Sequence, residues 1–418
     1  MDAQSLFIDE FGPLPVRRPA SVAEVGDLVR EARASGQGIY PVGGRTTLDV
    51  GLPPIKPGVA VDTTALGQVI DYPARDMTVT VGAGITVAKL QEVLAAEGQW
   101  LPVDVPRPER ATLGGAVALN KSGPRRFGYG TLRDYVIGIS FVTDDGTEVK
   151  AGGRVVKNVA GYDLMKLQTG AVGTLGVITQ LTLKVRPKPE ATAVVWMGCP
   201  PEKLADLLDL LHASRSRPVA VEVEPSGADV RMLWGVTVGF EEKAGTVEWQ
   251  VSTLLDEVKS GTDVTACRGP EAETRLRALA EGIGTWPGGK QSPLVFKANV
   301  RPGRVAAFCD AAAASGPPGS PLNPMSAFRV HAHALSGIIH GAAYNFGLTR
   351  EDASAVLNRL TALAAEGGNL TVPRCPTEWK RTLPVWGRAR GDRELMRHVK
   401  RTLDPDNVFN PGRLFGDL

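Results

Sequence analysis

Short glycine clusters, each set beside a strand-like run, constrain this chain more than any other feature of its sequence. Gly43-Gly44 follow Gly38-Ile39-Tyr40-Pro41-Val42, and Gly82 and Gly84 close the run TVTVGAG. Gly114-Gly115 stand in TLGGAVALN, and Gly173 and Gly176 open a run that alternates through residue 185. Clusters of this kind either bring backbone close to a ligand or make tight turns, and spacing has to decide between the two. Glycine is also the one compositional excess, 48 of 418 residues, beside an ordinary 43% hydrophobic and 22% charged residues. That length and balance predict a soluble globular protein of two domains, or of one interrupted domain.

Lysine and arginine number 47 against 45 acids, so net charge implies no polyanion-binding surface and no nucleic-acid partner is expected. The cysteines, Cys199, Cys267, Cys309 and Cys375, are far apart and form no C-x-x-C pair. They support neither an iron–sulfur cluster nor a zinc site in this chain, and they fit reduced thiols in a cytoplasmic protein. The start, MDAQSLFIDEFG, is acidic and lacks the basic end and apolar run of a signal peptide. No apolar stretch approaches the roughly 20 residues that span a bilayer, so any membrane association would come through partners.

Residues 21–36 read as a helix. Ser21 is a good N-cap, Glu24 stands where a capping box wants it, and Val22, Val25, Leu28 and Val29 repeat at helical spacing. Strands are expected at 38–42, 58–62, 78–82, 136–142 and 176–185, and a second helix at 87–98. The prolines at 187 and 189 mark a boundary. Beyond it, helix-like stretches (203–211, 248–258, 271–280) alternate with strand-like ones (219–223, 294–300), which suits a separate α+β layer. The expected division is 1–189, 190–345 and 346–418, the last part helical at 351–366 and 393–403.

Two glycine motifs compete for a cofactor. Gly82-Ala83-Gly84 has a strand before it, a helix after it, and Asp104 some 20 residues on, as in a dinucleotide-binding domain. Val87 fills the place of the third glycine, however, and Asp104 sits between Pro102 and Pro106, a poor parallel strand. The loop PVGGRTTLDVG is the better phosphate cradle. Its consecutive glycines let N–H groups converge on an anion, and Thr46 and Thr47 add hydroxyl donors.

Together, PVGGRTTLDVG, TVGAGITVAKLQEVLAAEGQWLPVDVP, ATLGGAVALNKSGPRRFGYGTLRDYVIGISFVTDDGTEV and VVKNVAGYDLMKLQTGAVGTLGVITQLTLKVRP resemble the FAD domain of the vanillyl-alcohol-oxidase (PCMH) type. The match in order and spacing runs over about residues 15–188, and DPDNVFNPGRL is similar to that family's C-terminal signature. Within the family, the run GGRVVKNVAGYDL and the later PVWG resemble the FAD-binding E subunits of bacterial glycolate oxidases. The resemblance implies an α+β fold: a two-part PCMH-type FAD-binding domain with an inserted α+β cap, and a C-terminal segment that returns to the FAD site.

It also implies site residues. Gly43, Gly44, Thr46 and Thr47 would hold the pyrophosphate. Pro106, Thr112, Gly114, Gly115, Asn120 and Gly123 would line the flavin and ribityl side. Tyr129-Gly130 and the turn Gly173-Thr174-Leu175-Gly176-Val177-Ile178 would complete the pocket, and Asn410 would approach from the C-terminal segment. Any one of these glycines is equally explained as a turn; the ensemble is not. Arg45 stands where many relatives have a third glycine, so the loop is either wider or presents a cation. Relatives that bind FAD covalently through this loop use a histidine in it. None is present here, and non-covalent FAD is expected.

Oxidising a 2-hydroxyacid requires a base for the hydroxyl proton and a cation for the carboxylate. The catalytic relatives carry an H-x-G-D-G-N-h-H metal motif that this chain lacks. The nearest run is Val330-His331-Ala332-His333-Ala334-Leu335-Ser336-Gly337-Ile338-Ile339-His340. Its three histidines leave a metal open, although strand histidines more often pack or face solvent, and no metal is assigned. Arg374, Lys380 and Trp386 lie in the region expected to face the flavin, and none is given a catalytic role. The expected function is an FAD-binding subunit of a glycolate (2-hydroxyacid) oxidase complex. A sister FAD-containing catalytic subunit and an iron–sulfur subunit would be its partners. The alternatives are a stand-alone FAD-linked alcohol or hydroxyacid oxidase or dehydrogenase, and a structural subunit without flavin.

Overall fold

The computed structural model describes residues 5–154, 162–226, 233–258, 263–281, 292–315, 328–343 and 348–416. Most of the run VVKNVAGYDL, at 155–161, lies outside the described residues. The chain divides into two compact units. The first comprises Met1–Ser122, Gly130–Lys188 and Ala389–Leu418, and the second comprises Gly123–Tyr129 and Pro189–Arg388.

In the first unit, Ser21 caps the helix Val22–Ala34, its hydroxyl accepting the Glu24 amide at 3.2 Å. The buried stripe Val25, Val29 and Ala32 packs with Ile39 and Val61. Those two belong to the parallel strands Gly38–Val42 and Gly58–Asp62, which continue a four-stranded sheet through Phe11–Arg17 to Ser5–Ile8. A five-stranded antiparallel sheet follows, in the order Val69–Asp71, Thr78–Gly82, Val177–Lys184, Val136–Val142, Glu148–Gly152. The tail contributes Val408 and Phe409 to the core beneath the first helix.

This topology excludes the dinucleotide reading of Gly82-Ala83-Gly84. Thr78–Gly82 pairs antiparallel with both its neighbours, whereas a dinucleotide fold needs a parallel βαβ unit there. The glycines at 82 and 84 instead allow backbone contact: a Cβ on either would stand 2.1 Å from the carbonyl oxygen of Leu66 or of Thr63 respectively.

The second unit is built on an eight-stranded sheet, every pairing antiparallel. Its order is Val264–Arg268, Ala191–Cys199, Leu233–Glu242, Ala220–Ser226, Phe328–His333, Ile338–Ala343, Val295–Asn299, Asn369–Arg374. Helices Pro201–Ala213, Val305–Ala313 and Arg350–Ala364 bury their apolar stripes in one large core with Val221, Val223, Val330, Ala332, Phe296 and Ala298. Alternation then puts Glu222, His331, His333, His340 and Lys297 on the opposite face, since Glu222 pairs with His333, and His340 with both His331 and Lys297. Helix Arg350–Ala364 and strand Asn369–Arg374 sit in this second unit, and helix Asp392–Leu403 in the first.

Candidate cofactor site

In the first unit, loops from four parts of the sequence converge. The 43–47 loop leaves the end of strand Gly38–Val42 and lies directly on residues 110–112. A Cβ on Gly43 would stand 2.0 Å from Thr112 Oγ1, and one on Gly44 only 1.6 Å from the Arg110 carbonyl oxygen. Bare backbone is what lets the two loops meet. Thr112, buried, caps the short helix Leu113–Ala118 by accepting the Gly115 amide at 3.4 Å. Gly114 is buried against Ala83, its amide donating to the Ala83 carbonyl at 2.8 Å, while Gly115 is exposed. The Gly82–Gly84 turn thus supports helix Leu113–Ala118, on whose cap residue Thr112 the 43–47 loop rests.

The third segment arrives after that helix. The amides of Gly170 and Val172 donate to Val117 and Ala118 carbonyls at 3.0 and 2.8 Å. Gly173 follows with φ at 65°, a conformation that favours glycine. Thr174 is buried, with its hydroxyl on the Ala171 carbonyl at 2.7 Å, and Gly176, Val177 and Ile178 lead into strand Val177–Lys184. The C-terminal segment closes the set. Asn410 donates from Nδ2 to the Val172 carbonyl at 2.8 Å and from its amide to Ile39 at 2.9 Å. Gly173 therefore faces both Asn410 and Pro41.

Asn120, at the end of the helix with φ 47°, keeps a buried Oδ1 that accepts no hydrogen bond. An orphaned acceptor beside loops joined through bare backbone suits a bound polar group. Pro106 is half-buried, and Gly130 has φ 89° above Asp134. Gly123 and Tyr129 belong to the second unit, where the Tyr129 hydroxyl lies 3.4 Å from the Glu241 carbonyl and Arg125 forms a buried bidentate pair with Glu241.

Arg45 resolves the departure at the third glycine position. It adopts φ 54°, normally a glycine conformation, and its guanidinium pairs with Asp62 at 3.1 Å. Two arginines absent from the expectations also grip this loop. Arg107 donates to the Thr46 carbonyl, and Arg110 lies 3.5 Å from the Gly44 carbonyl. The tail grips the third segment instead: Lys400, buried, donates to Thr174 and Phe409 carbonyls at 2.9 Å each and pairs with Asp404. Nothing local in the sequence announces the contacts of Arg107, Arg110 and Lys400 to Thr46, Gly44 and Thr174, because the partners lie far apart in the chain.

The histidine run of the second unit forms a closed cluster. Glu222 Oε2 lies 2.5 Å from His331 Nε2 and 2.7 Å from His333 Nδ1, all three side chains buried. Among the described residues this is the one group of three that could hold a metal ion. Both imidazole nitrogens converge on a single oxygen, which is the geometry of N–H donors sharing a carboxylate. Burial opposes ionisation of Glu222, but His333 and His331 outweigh it and hold the carboxyl below the usual carboxylate range. The His340 ring lies 5.5 Å from that of His333. All four cysteines are buried, and burial pushes the Cys199 thiol up to about 11 and raises those of Cys267 and Cys309.

A family model described as an FAD binding domain matches residues 13–152. D-2-hydroxyglutarate dehydrogenase from Xanthomonas citri pv. viticola is 26% identical, over 96% of this chain and 89% of its own length. Glycolate oxidase subunit GlcE of Escherichia coli is 38% identical, over 32% of this chain and 39% of its own length. Among solved structures, an alkyldihydroxyacetonephosphate synthase superposes with a TM-score of 0.68 at 19% identity, covering 95% of this chain and 75% of that one, which shows a shared fold. Residues 13–152 carry an FAD-binding domain of the PCMH type. The relatives named above are a dehydrogenase and an oxidase subunit. The 43–47 loop of this chain contains neither histidine nor cysteine, consistent with cofactor held without a covalent bond.

Proposed function

We propose that this chain is the FAD-binding subunit of a complex that oxidises a small 2-hydroxyacid, glycolate or a close analogue. Electrons would leave through an iron–sulfur partner, with a sister flavoprotein carrying the substrate chemistry. The observation that carries the reading is the convergence of the 43–47, 110–120 and 170–178 segments with Asn410 in one place. Gly43, Gly44, Thr46 and Thr47 hold the pyrophosphate through backbone amides and hydroxyls, with Arg45, Arg107 and Arg110 setting the loop's shape and charge. Thr112, Gly114, Gly115 and Asn120 line the ribityl and flavin side, together with Pro106 and Gly130. The turn from Gly173 to Ile178, and Asn410, complete the pocket. FAD supplies two-electron acceptance there; binding, orienting and excluding water fall to the chain's own residues. On this reading the chain works in the cytoplasm, with any membrane association made through its partners. Among the described residues no helix is long and apolar enough to cross a membrane.

The subunit reading is supported by what the histidines do. The chain lacks H-x-G-D-G-N-h-H, and His331 and His333 are both engaged by Glu222. A stand-alone dehydrogenase is the second reading, favoured by the near full-length match to D-2-hydroxyglutarate dehydrogenase. Anaerobic addition of glycolate, D-lactate or D-2-hydroxyglutarate to the purified, FAD-loaded chain separates them. The subunit reading expects the visible absorbance of the oxidised flavin to persist until partners are added. Bleaching by the chain alone would establish the stand-alone enzyme.

A further inference from the structure

Residues 48–52 continue directly from the 43–47 loop and belong to no helix or strand. Their carbonyls are nevertheless satisfied from one place. The Arg413 guanidinium donates to Leu48 at 2.5 Å, to Leu52 at 2.7 Å and to Val50, and its fourth contact is the Asp9 carboxylate at 2.6 Å. Arg413 and Asp9 side chains are both nearly fully buried. The backbone answers in kind: the Leu52 amide donates to the Arg413 carbonyl at 2.9 Å and the Ile55 amide to Pro411 at 3.2 Å. A guanidinium presents donors in a rigid planar fork, so three carbonyls and a carboxylate around it leave the segment little freedom.

We propose that Arg413 is a positioning residue for the cofactor. It shapes the loop that holds the pyrophosphate, from 365 residues beyond Leu48, without touching FAD. This rests on the reading of 43–47 as the phosphate cradle. With the fork gone, residues 48–52 regain backbone freedom that FAD must then remove on binding. Fixing one residue costs about 1–2 kcal/mol, so affinity falls by about tenfold or more.

The test titrates FAD into apoprotein by flavin fluorescence, well below each variant's Tm, for Arg413→Met, Arg413→Lys and Asp9→Asn. Gly44→Ala serves as the control on the cradle itself. The proposal expects Arg413→Met to weaken FAD by about tenfold or more, Arg413→Lys to recover part of that, and Asp9→Asn to weaken it less. Hydrogen exchange is expected to speed up at Leu52 and Ile55 while strand Val136–Val142 keeps its protection. Should Arg413→Met fail to fold, Arg413→Lys and Asp9→Asn carry the same test. Weakened binding in Gly44→Ala with unchanged affinity in folded Arg413 variants overturns the proposal alone. Unchanged affinity in both overturns the cradle reading and the proposal with it. A lowered Tm with unaltered FAD affinity marks Arg413 as merely structural and also overturns it.

Discussion

Glu222 is the residue at which this protein concentrates its electrostatics in the second unit. Its carboxylate is buried on a sheet face, shared by two imidazoles, with Glu224 and Arg329 paired at 3.6 Å on the same two strands. A carboxyl held below its unfolded value stabilises the fold at pH values above the ordinary carboxylate range. That contribution is lost as pH falls through the lowered value. Glu222→Gln is therefore expected to cost about 1–3 kcal/mol at pH 7, by replacing an ionised acceptor shared by two imidazoles with a neutral amide oxygen. Thermal melts of the two proteins should converge as the buffer is taken below about pH 4. A constant difference across that range would remove the ionised carboxylate from the account. Because both imidazoles already have their acceptor, elemental analysis of the purified protein is expected to find no stoichiometric transition metal.

At the scale of elements, the second unit's sheet depends on close approach between neighbouring strands. Gly341, in strand Ile338–Ala343, lies under the Phe296 ring of the adjacent strand Val295–Asn299, and a Cβ there would stand 2.2 Å from two ring carbons. Gly341→Ala should overpack the core by about 1–3 kcal/mol. Differential scanning calorimetry is expected to show a fall of roughly 2–4 °C per kcal/mol, with FAD affinity unchanged. Most of the longer helices were legible in the sequence. Ser21 and the valine stripe marked the helix Val22–Ala34, and Val87, Leu90 and Leu94, all buried, marked Val87–Ala95. Strands Ala191–Cys199 and Leu233–Glu242 were not, because both are buried on nearly every residue and so lack the polar alternation that announces a half-exposed strand.

For the whole molecule, the expected outcome that matters most is that FAD dissociates. Unfolding in guanidinium followed by filtration should pass all flavin colour through the membrane; colour retained with the chain would mean a covalent bond outside the 43–47 loop. From the sequence came the expectation of FAD, through the family resemblance of its glycine-rich segments, and those clusters are a local signal. Gly43-Gly44, Gly114 and Gly173 all stand where segments meet. Tertiary structure alone decided which buried charges meet. Asp62 for Arg45, Glu222 for His331 and His333, and Asp9 with Arg413 for residues 48–52 are partnerships fixed by folding. Most join residues far apart in the chain, where neither periodicity nor motif spacing carries information. The physical reason is burial: a charge taken out of water must find its counterpart in space, and sequence order does not say which segment will bring it.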